Sequence, residues 1–182
     1  MRSVVFLLLL IPIAVFPQVG GENIYNFLNI SSSGKQAALG GKVYTLLKDV
    51  NQPFWNPAAL NERMTNKIAV NYLNYLSDLN MGSVAYAFKL NESIEPIHIG
   101  FNYLNYGELV GANEDGLETG EFKAFDLAYS ISFAKHIKNT NFHIGTSVKI
   151  INSVVENYSS FGIASDLGLL YASKQNNVVL AL

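Results

Sequence analysis

The chain has 182 residues, of which 49% are hydrophobic and 14% are charged, and its formal net charge is -2. This length is enough for one ordinary domain. A slightly negative chain without a basic cluster is a poor candidate for binding nucleic acid or another polyanion. The absence of cysteine excludes a disulfide framework and thiolate chemistry.

The first predicted element is an export signal at residues 1–18. Arg2 supplies a positive charge, and the apolar run at residues 4–15 is too short for a transmembrane helix, which needs about 20 residues. We therefore expect secretion with cleavage between Gln18 and Gly21, and an uncleaved anchor is the alternative. Because no later run approaches that length, a membrane protein with this sequence is expected to be a barrel or peripheral.

Residues 19–66 lack a strand pattern and are rich in small residues, which allow close approach of the backbone to its neighbours. Ser33 and its neighbours are placed to cap a short helix that two glycines end, and Pro57 is placed to open a one-turn helix. We expect this segment to plug the mouth of a barrel. The structural motif of the plug is predicted to consist of Ala37, Ala38, Leu39, Gly40, Gly41, Asn56, Pro57, Ala58, Ala59 and Leu60.

From residue 67 to residue 182 the sequence alternates with a period of two, which predicts about seven β-strands. The clearest example runs from Phe125 to Phe133, where large apolar residues alternate with Ala, Asp and Ser. One predicted face is large and apolar, and the other is small or polar with few charges. A soluble sandwich carries more charge on its second face. The pattern therefore favours an antiparallel membrane barrel, with its apolar face toward lipid, over a soluble β domain.

The links between the strands set the predicted orientation. The longest link, residues 107–121, is predicted to be an external loop, and residues 91–96 and 136–141 are predicted to be periplasmic turns. Six full strands and part of a seventh cannot close a barrel, so we expect residues 67–182 to be its first half. An interfacial girdle is expected from four tyrosines near the outer strand ends: Tyr75, Tyr103, Tyr106 and Tyr158.

The sequence contains no motif for catalysis or for a cofactor. It has neither a Gly-x-Ser-x-Gly elbow nor a phosphate-binding loop, so we expect no enzymatic activity. The three histidines, His98, His136 and His143, lack metal-ligand spacing, and we interpret them as polar residues of the lumen or of turns. An acidic link without the spacing of an EF-hand is interpreted as a solvated loop; its residues are Glu108, Glu114, Asp115, Glu118 and Glu121.

Three charged residues on consecutive predicted strands fall on the small-residue face. They are Asp126, Lys149 and Asp166, and folding the strands about their turns places them at similar heights. Enclosed charges need partners. We therefore expect Lys149 to lie between the two carboxylates and to stabilise the fold rather than to transport a solute.

Several segments resemble the PorV/PorQ group of outer-membrane proteins, which belong to the type IX secretion system of Bacteroidetes. The resemblance lies in residues 20–30, 37–41 and 56–60 and in the strand at residues 162–171. Residues 33–35 depart from the group, where a small-residue run containing arginine is more usual. The resemblance implies a FadL-like barrel of about 14 strands with an N-terminal hatch.

The same resemblance implies a role without enzymatic chemistry. Proteins of this group help to form a cell-surface attachment complex with PorU, PorV and PorZ, which processes exported cargo. The role expected here is to hold a PorZ-like partner at the outer membrane, in contact with membrane lipid. The alternatives are a FadL-like channel for hydrophobic small molecules, which the small polar lumen face disfavours, and a soluble exported β protein.

Overall fold

A computed structural model describes residues 25–74, 78–92, 94–173 and 178–182. Its main element is one antiparallel sheet of seven strands in sequence order, curled into a half-barrel. The predicted all-β antiparallel architecture is therefore confirmed, whereas the predicted export signal and Tyr75 lie outside the described residues. The strands are β1 (Lys67–Asn74), β2 (Asn80–Phe88), β3 (Ile97–Ala112), β4 (Glu118–His136), β5 (Phe142–Val155), β6 (Tyr158–Ala172) and β7 (Val179–Ala181).

Residues 25–66, here called the N-terminal segment, precede the sheet and contain one short helix, α1 (Gly34–Ala38). The side chain of Ser33 caps α1 by accepting a hydrogen bond from the backbone N–H of Gln36 at 3.2 Å. Gly40 and Gly41 follow the helix with φ values of 97° and 92°, which glycine adopts most easily. The predicted capping and termination of this helix are thus confirmed. Four 3₁₀ turns complete the segment, at Asn26–Asn29, Gln52–Phe54, Pro57–Ala59 and Glu62–Met64.

The two faces of the sheet differ as the alternation predicts. In β4, the side chains of Ala128 and Ser132 are buried, whereas those of Tyr129 and Ile131 are exposed. We call the face that carries Ala128 the inner face and the opposite one the outer face. Because successive side chains of a strand point to opposite faces, this assignment fixes the direction of every side chain in the regular parts of the ladder.

The N-terminal segment contacts strands β1 to β6 from the inner side, and β7 packs on a cluster that the segment forms with Leu170 of β6. It is hydrogen-bonded to Asn71 of β1 and Ser83 of β2, and a ring of the segment meets His98 of β3. The 3₁₀ turn Pro57–Ala59 lies against β4, β5 and β6, and Val179 of β7 packs on the cluster that contains this turn. A segment this short reaches six strands because the sheet curls around it.

The prediction that residues 107–121 form a loop is wrong. Strand β3 continues to Ala112 and β4 begins at Glu118, so the link consists only of residues 113–117. The register shifts between Asn105 and Glu108, where Gly107 has a φ of 76°. This irregularity interrupts the period-two pattern of the sequence, so the pattern does not predict the rest of the strand. The predicted loop is therefore an extended hairpin.

Tyr106 does not belong to the predicted outer girdle. Its hydroxyl group donates a hydrogen bond to a carboxylate oxygen of Asp126 at 2.7 Å, which places the ring on the inner face. Tyr106 also packs against the inner-face cluster that contains Leu104, which is 3% exposed. By contrast, Tyr103 is on the outer face and meets the ring of Phe125, with the ring centroids 6.2 Å apart.

Candidate functional site

The candidate site is the contact between the inner face and the N-terminal segment, where two glycines lie beneath the 3₁₀ turn Pro57–Ala59. A Cβ atom added to Gly145 would lie 2.7 Å from Cα of Ala58 and closer still to two other backbone atoms of the turn. A Cβ atom added to Gly168 would overlap the side chain of Asn56 and lie 3.1 Å from the backbone nitrogen of Ala58. Only glycine permits this approach, so the two residues form a seat for the turn.

Two further glycines accept aromatic rings of the N-terminal segment. A Cβ atom on Gly100 would overlap the ring of Phe54, and one on Gly162 would lie 2.6 Å from the hydroxyl oxygen of Tyr25. Phe54 is 7% exposed, and its ring meets the imidazole of His98 edge-on with centroids 5.3 Å apart. The small residues of the inner face thus provide the space that the segment fills.

The second half of the predicted plug motif is buried in this seat. The side chain of Asn56 caps the turn by accepting a hydrogen bond from the N–H of Ala58 at 2.9 Å, and its amide donates to the carbonyl oxygen of Tyr44 at 3.2 Å. Pro57 opens the turn, as predicted. Ala58 and Ala59 are each 1% exposed, and Leu60 is 2% exposed.

The first half of the motif does not line the seat. Ala37, Ala38 and Gly40 are exposed, and Leu39 is 56% exposed. The expectation that these small residues bring the backbone close to its neighbours is therefore wrong. Their local role is to complete α1 and, through Gly40 and Gly41, to end it in the left-handed region.

Lys149 is the central charged residue of the inner face. Its ammonium group lies 2.8 Å from a carboxylate oxygen of Asp166 and donates a hydrogen bond to the carbonyl oxygen of Phe54 at 3.2 Å. The hydroxyl group of Ser147 donates to the same Asp166 oxygen at 2.5 Å. Lys149 is 9% exposed, so these partners replace the water it loses and connect the sheet to the N-terminal segment.

The prediction that Lys149 lies between two carboxylates is wrong for Asp126. Among the described residues, Asp166 is the one carboxylate within ion-pair distance of Lys149. The register explains the separation, because Lys149 faces Ser130 in β4, four positions from Asp126. Asp126 is 6% exposed and accepts the hydrogen bond from Tyr106.

An ion pair between the sheet and the N-terminal segment lies near the end of β2. The ammonium group of Lys89 lies 2.6 Å from a carboxylate oxygen of Glu62, which belongs to the N-terminal segment. The hydrogen bond that Lys89 donates to this carboxylate raises the pKa of Lys89 above its usual value. Glu62 is largely exposed in this pair, so the contact orients the segment more than it stabilises it.

One apolar part of the inner face was not predicted. Phe27 of the N-terminal segment is 1% exposed and packs against Met81, Leu104 and Ile151. The alternation hid Ile151 because Ile150, its outer-face neighbour in the chain, is also apolar. A run of two large apolar residues within an alternating strand was the available signal.

The outer face presents a broad apolar surface. Its large side chains are exposed even on the central strands, where Tyr129 is 53% and Ile150 is 46% exposed. Soluble monomers rarely expose apolar patches larger than a few hundred Å². Further exposed outer-face residues are Ile68, Val70, Tyr72, Ile99, Ile131, Phe133, Ile144, Val148, Phe161, Ile163, Leu167 and Leu169.

The described residues contain no group of three or more His, Asp and Glu residues that could hold a metal ion. His98 is fully buried, with its Nδ1 3.4 Å from the hydroxyl oxygen of Ser132. His136 is the last residue of β4 rather than part of a turn, and it directly faces His143 of β5. Among the described residues, the contact between the inner face and the N-terminal segment therefore consists mainly of buried packing and hydrogen bonds, with ion pairs at Lys149–Asp166 and Lys89–Glu62.

No protein-family model matches the sequence, and the comparison with curated proteins gives no match. In the part of the chain that the structure describes, none of the helices has the length and apolar character needed to cross a membrane.

Proposed function

We propose that this chain forms part of the wall and the plug of an outer-membrane β-barrel. The observation that carries the proposal is the polarity of the sheet. Its outer face exposes large apolar side chains, whereas its inner face is mostly small or polar, apart from the buried cluster around Phe27, and is covered by the N-terminal segment. Lipid is the partner that suits such an outer face, because apolar side chains alternate with lumen-facing ones in membrane barrels.

The N-terminal segment acts as the plug in this proposal. Its support comes from the glycines that seat Pro57–Ala59 and from Lys149, which links Asp166 to the carbonyl group of Phe54. A bilayer does not tolerate unpaired strand edges. The proposal therefore requires partners for the edges formed by β1 and β7.

We further propose that the barrel serves the type IX secretion system as a component without enzymatic chemistry. It would hold a PorZ-like protein of the attachment complex at the cell surface, together with PorU and PorV. The support for this finer role is the resemblance of residues 20–30, 37–41 and 56–60 to the PorV/PorQ group. The buried capping arrangement of Asn56 gives one of these segments a definite structural task.

Purification of the full-length tagged protein from outer membranes tests the role. We expect a PorZ-like surface protein to be recovered in stoichiometric amounts. Recovery of the protein in the soluble periplasmic fraction would refute every barrel interpretation.

A FadL-like channel for hydrophobic small molecules is the second candidate. It is favoured by a cavity of about 520 Å³ beside the N-terminal segment, which lies at the β6–β7 edge. Tyr44, Trp55 and Leu167 contribute to its lining, and Asp166 adds one charged group. Bound fatty acid in the purified protein, without any protein partner, would support the channel and contradict the secretion role.

A further inference from the structure

Two histidines are in contact at the end of the β4–β5 hairpin. His136 and His143 are direct partners in the register, and their ring centroids are 4.6 Å apart with an angle of 37° between the rings. Seven positions separate them in the sequence, so no ligand spacing on a single helix or strand reveals them. Only the hairpin register brings the two rings together.

The pair occupies the kind of register position at which side chains come closest. The N–H of Ile137 donates to the carbonyl oxygen of Phe142 at 2.9 Å, so these two residues form a hydrogen-bonded pair. The two kinds of pair alternate along an antiparallel ladder, so the adjacent pair, His136 and His143, is a non-hydrogen-bonded pair. Opposed residues at such positions have Cα atoms about 4.5 Å apart, closer than in the alternate positions. Both imidazoles can therefore reach one small ligand between them.

The ring of His136 is held in place by a hydrogen bond at one of its two nitrogen atoms. Its Nε2 lies 2.9 Å from the carbonyl oxygen of Thr140. A carbonyl oxygen only accepts hydrogen bonds, so Nε2 is the donor in this contact, and in the neutral ring the lone pair is on Nδ1. Histidine ligands of metal ions commonly donate their other N–H to a backbone carbonyl in this way, which fixes the ring and raises its basicity.

The turn that holds the carbonyl group of Thr140 is itself well ordered by hydrogen bonds. The hydroxyl group of Thr140 donates to the carbonyl oxygen of Ile137 at 2.8 Å and accepts from the N–H of Phe142 at 3.1 Å. His136 is exposed and His143 is half-buried, so an ion can reach the pair from solvent. Within the described residues, the hydrogen bonds of histidine rings involve His98 and His136, and none involves the ring of His143.

We propose that His136 and His143 together bind a divalent first-row transition-metal ion such as Cu²⁺, Ni²⁺ or Zn²⁺. Two nitrogen ligands of one tetrahedral ion lie roughly 3–3.5 Å apart when each bond is about 2.0–2.1 Å, and rings with centroids 4.6 Å apart permit this separation. Imidazole suits these borderline ions, whereas Ca²⁺ and Mg²⁺ prefer oxygen ligands. Water completes the coordination, and the site is independent of the proposed function.

Titration of the purified full-length protein with Cu²⁺ tests the site through electron paramagnetic resonance and calorimetry. The wild-type spectrum is expected to show nitrogen coupling from two imidazoles. In His136→Ala or His143→Gln the coupling falls to one imidazole. The affinity for Cu²⁺ falls by about 100-fold, because the ion is no longer bound by two imidazoles of the same chain. The matched control is Lys138→Ala, which changes an exposed residue of the same turn and should leave both readouts within about twofold of wild type.

His143→Gln is used because a polar side chain of moderate size suits a half-buried position, and circular dichroism of each variant confirms that the sheet is retained. Binding of Cu²⁺ by both histidine variants that is as tight as binding by the wild type would overturn the proposal. A wild-type spectrum with coupling from a single nitrogen would overturn it as well.

Discussion

Replacement of Gly145 by alanine tests the seat at its tightest point. The new Cβ atom would lie 2.7 Å from Cα of Ala58 and closer to two other backbone atoms of the turn. Carbon atoms in favourable contact are about 3.5–4.0 Å apart, so the turn has to move away by about 1 Å. The obstructing atoms belong to the backbone, and rotation of a side chain cannot relieve the overlap.

The expected cost of Gly145→Ala is about 2–3 kcal/mol, the upper part of the range for overpacking, which corresponds to a roughly 30- to 150-fold change in the unfolding equilibrium. Gly82→Ala is the matched control, because Gly82 also lies in a strand but has no atom within 4 Å of an added Cβ. There the lower chain entropy of the unfolded state should leave stability unchanged or raise it by up to about 1 kcal/mol.

The assay is urea unfolding of the detergent-solubilised protein, followed by the fluorescence of Trp55. This residue is the one tryptophan of the chain and lies in the N-terminal segment. Its indole N–H donates to the side-chain oxygen of Gln36 at 3.1 Å, so its emission reports the packing of the segment. Equal urea midpoints for Gly145→Ala and Gly82→Ala would refute the interpretation that close packing of the turn requires glycine at position 145.

Two further substitutions test the contacts around the seat. Lys149→Met should cost about 1–3 kcal/mol of stability in the same unfolding assay, because the buried carbonyl group of Phe54 loses its donor. The control is Lys135→Met, at an exposed position of β4, which should change stability by no more than about 0.5 kcal/mol. Phe27→Ala should cost about 3–5 kcal/mol through the cavity that it leaves; a loss no larger than that of Leu39→Ala, at a position that is 56% exposed, would show that the packing of Phe27 is unimportant.

Much of the fold could be predicted because period-two alternation determines which face each side chain occupies. It gave the two faces of β4 and the inner positions of Lys149 and Asp166. It could not give the relative heights of residues on neighbouring strands, which depend on hairpin register. Asp126 therefore lies four positions from the residue that faces Lys149.

The parts of the candidate site that depend on local sequence could be predicted, whereas the parts that depend on tertiary contacts could not. An asparagine before a proline is a recognisable cap, and Asn56 caps the turn at Pro57. The exposure of Leu39 and the pairing of His136 with His143 depend on which surfaces the folded chain brings together. No local pattern contains that information.

The central claim is that lipid covers the outer face while the N-terminal segment fills the inner side, and quenching by brominated lipids tests it most directly. The full-length protein is reconstituted in vesicles of such lipids, both as wild type and as Ile131→Trp in a Trp55→Phe background. Ile131 lies on the outer face of the central strand β4 and is 39% exposed. We predict strong quenching of the tryptophan introduced at position 131 and little quenching of Trp55. Equal quenching at both positions, or none at position 131, would contradict the account.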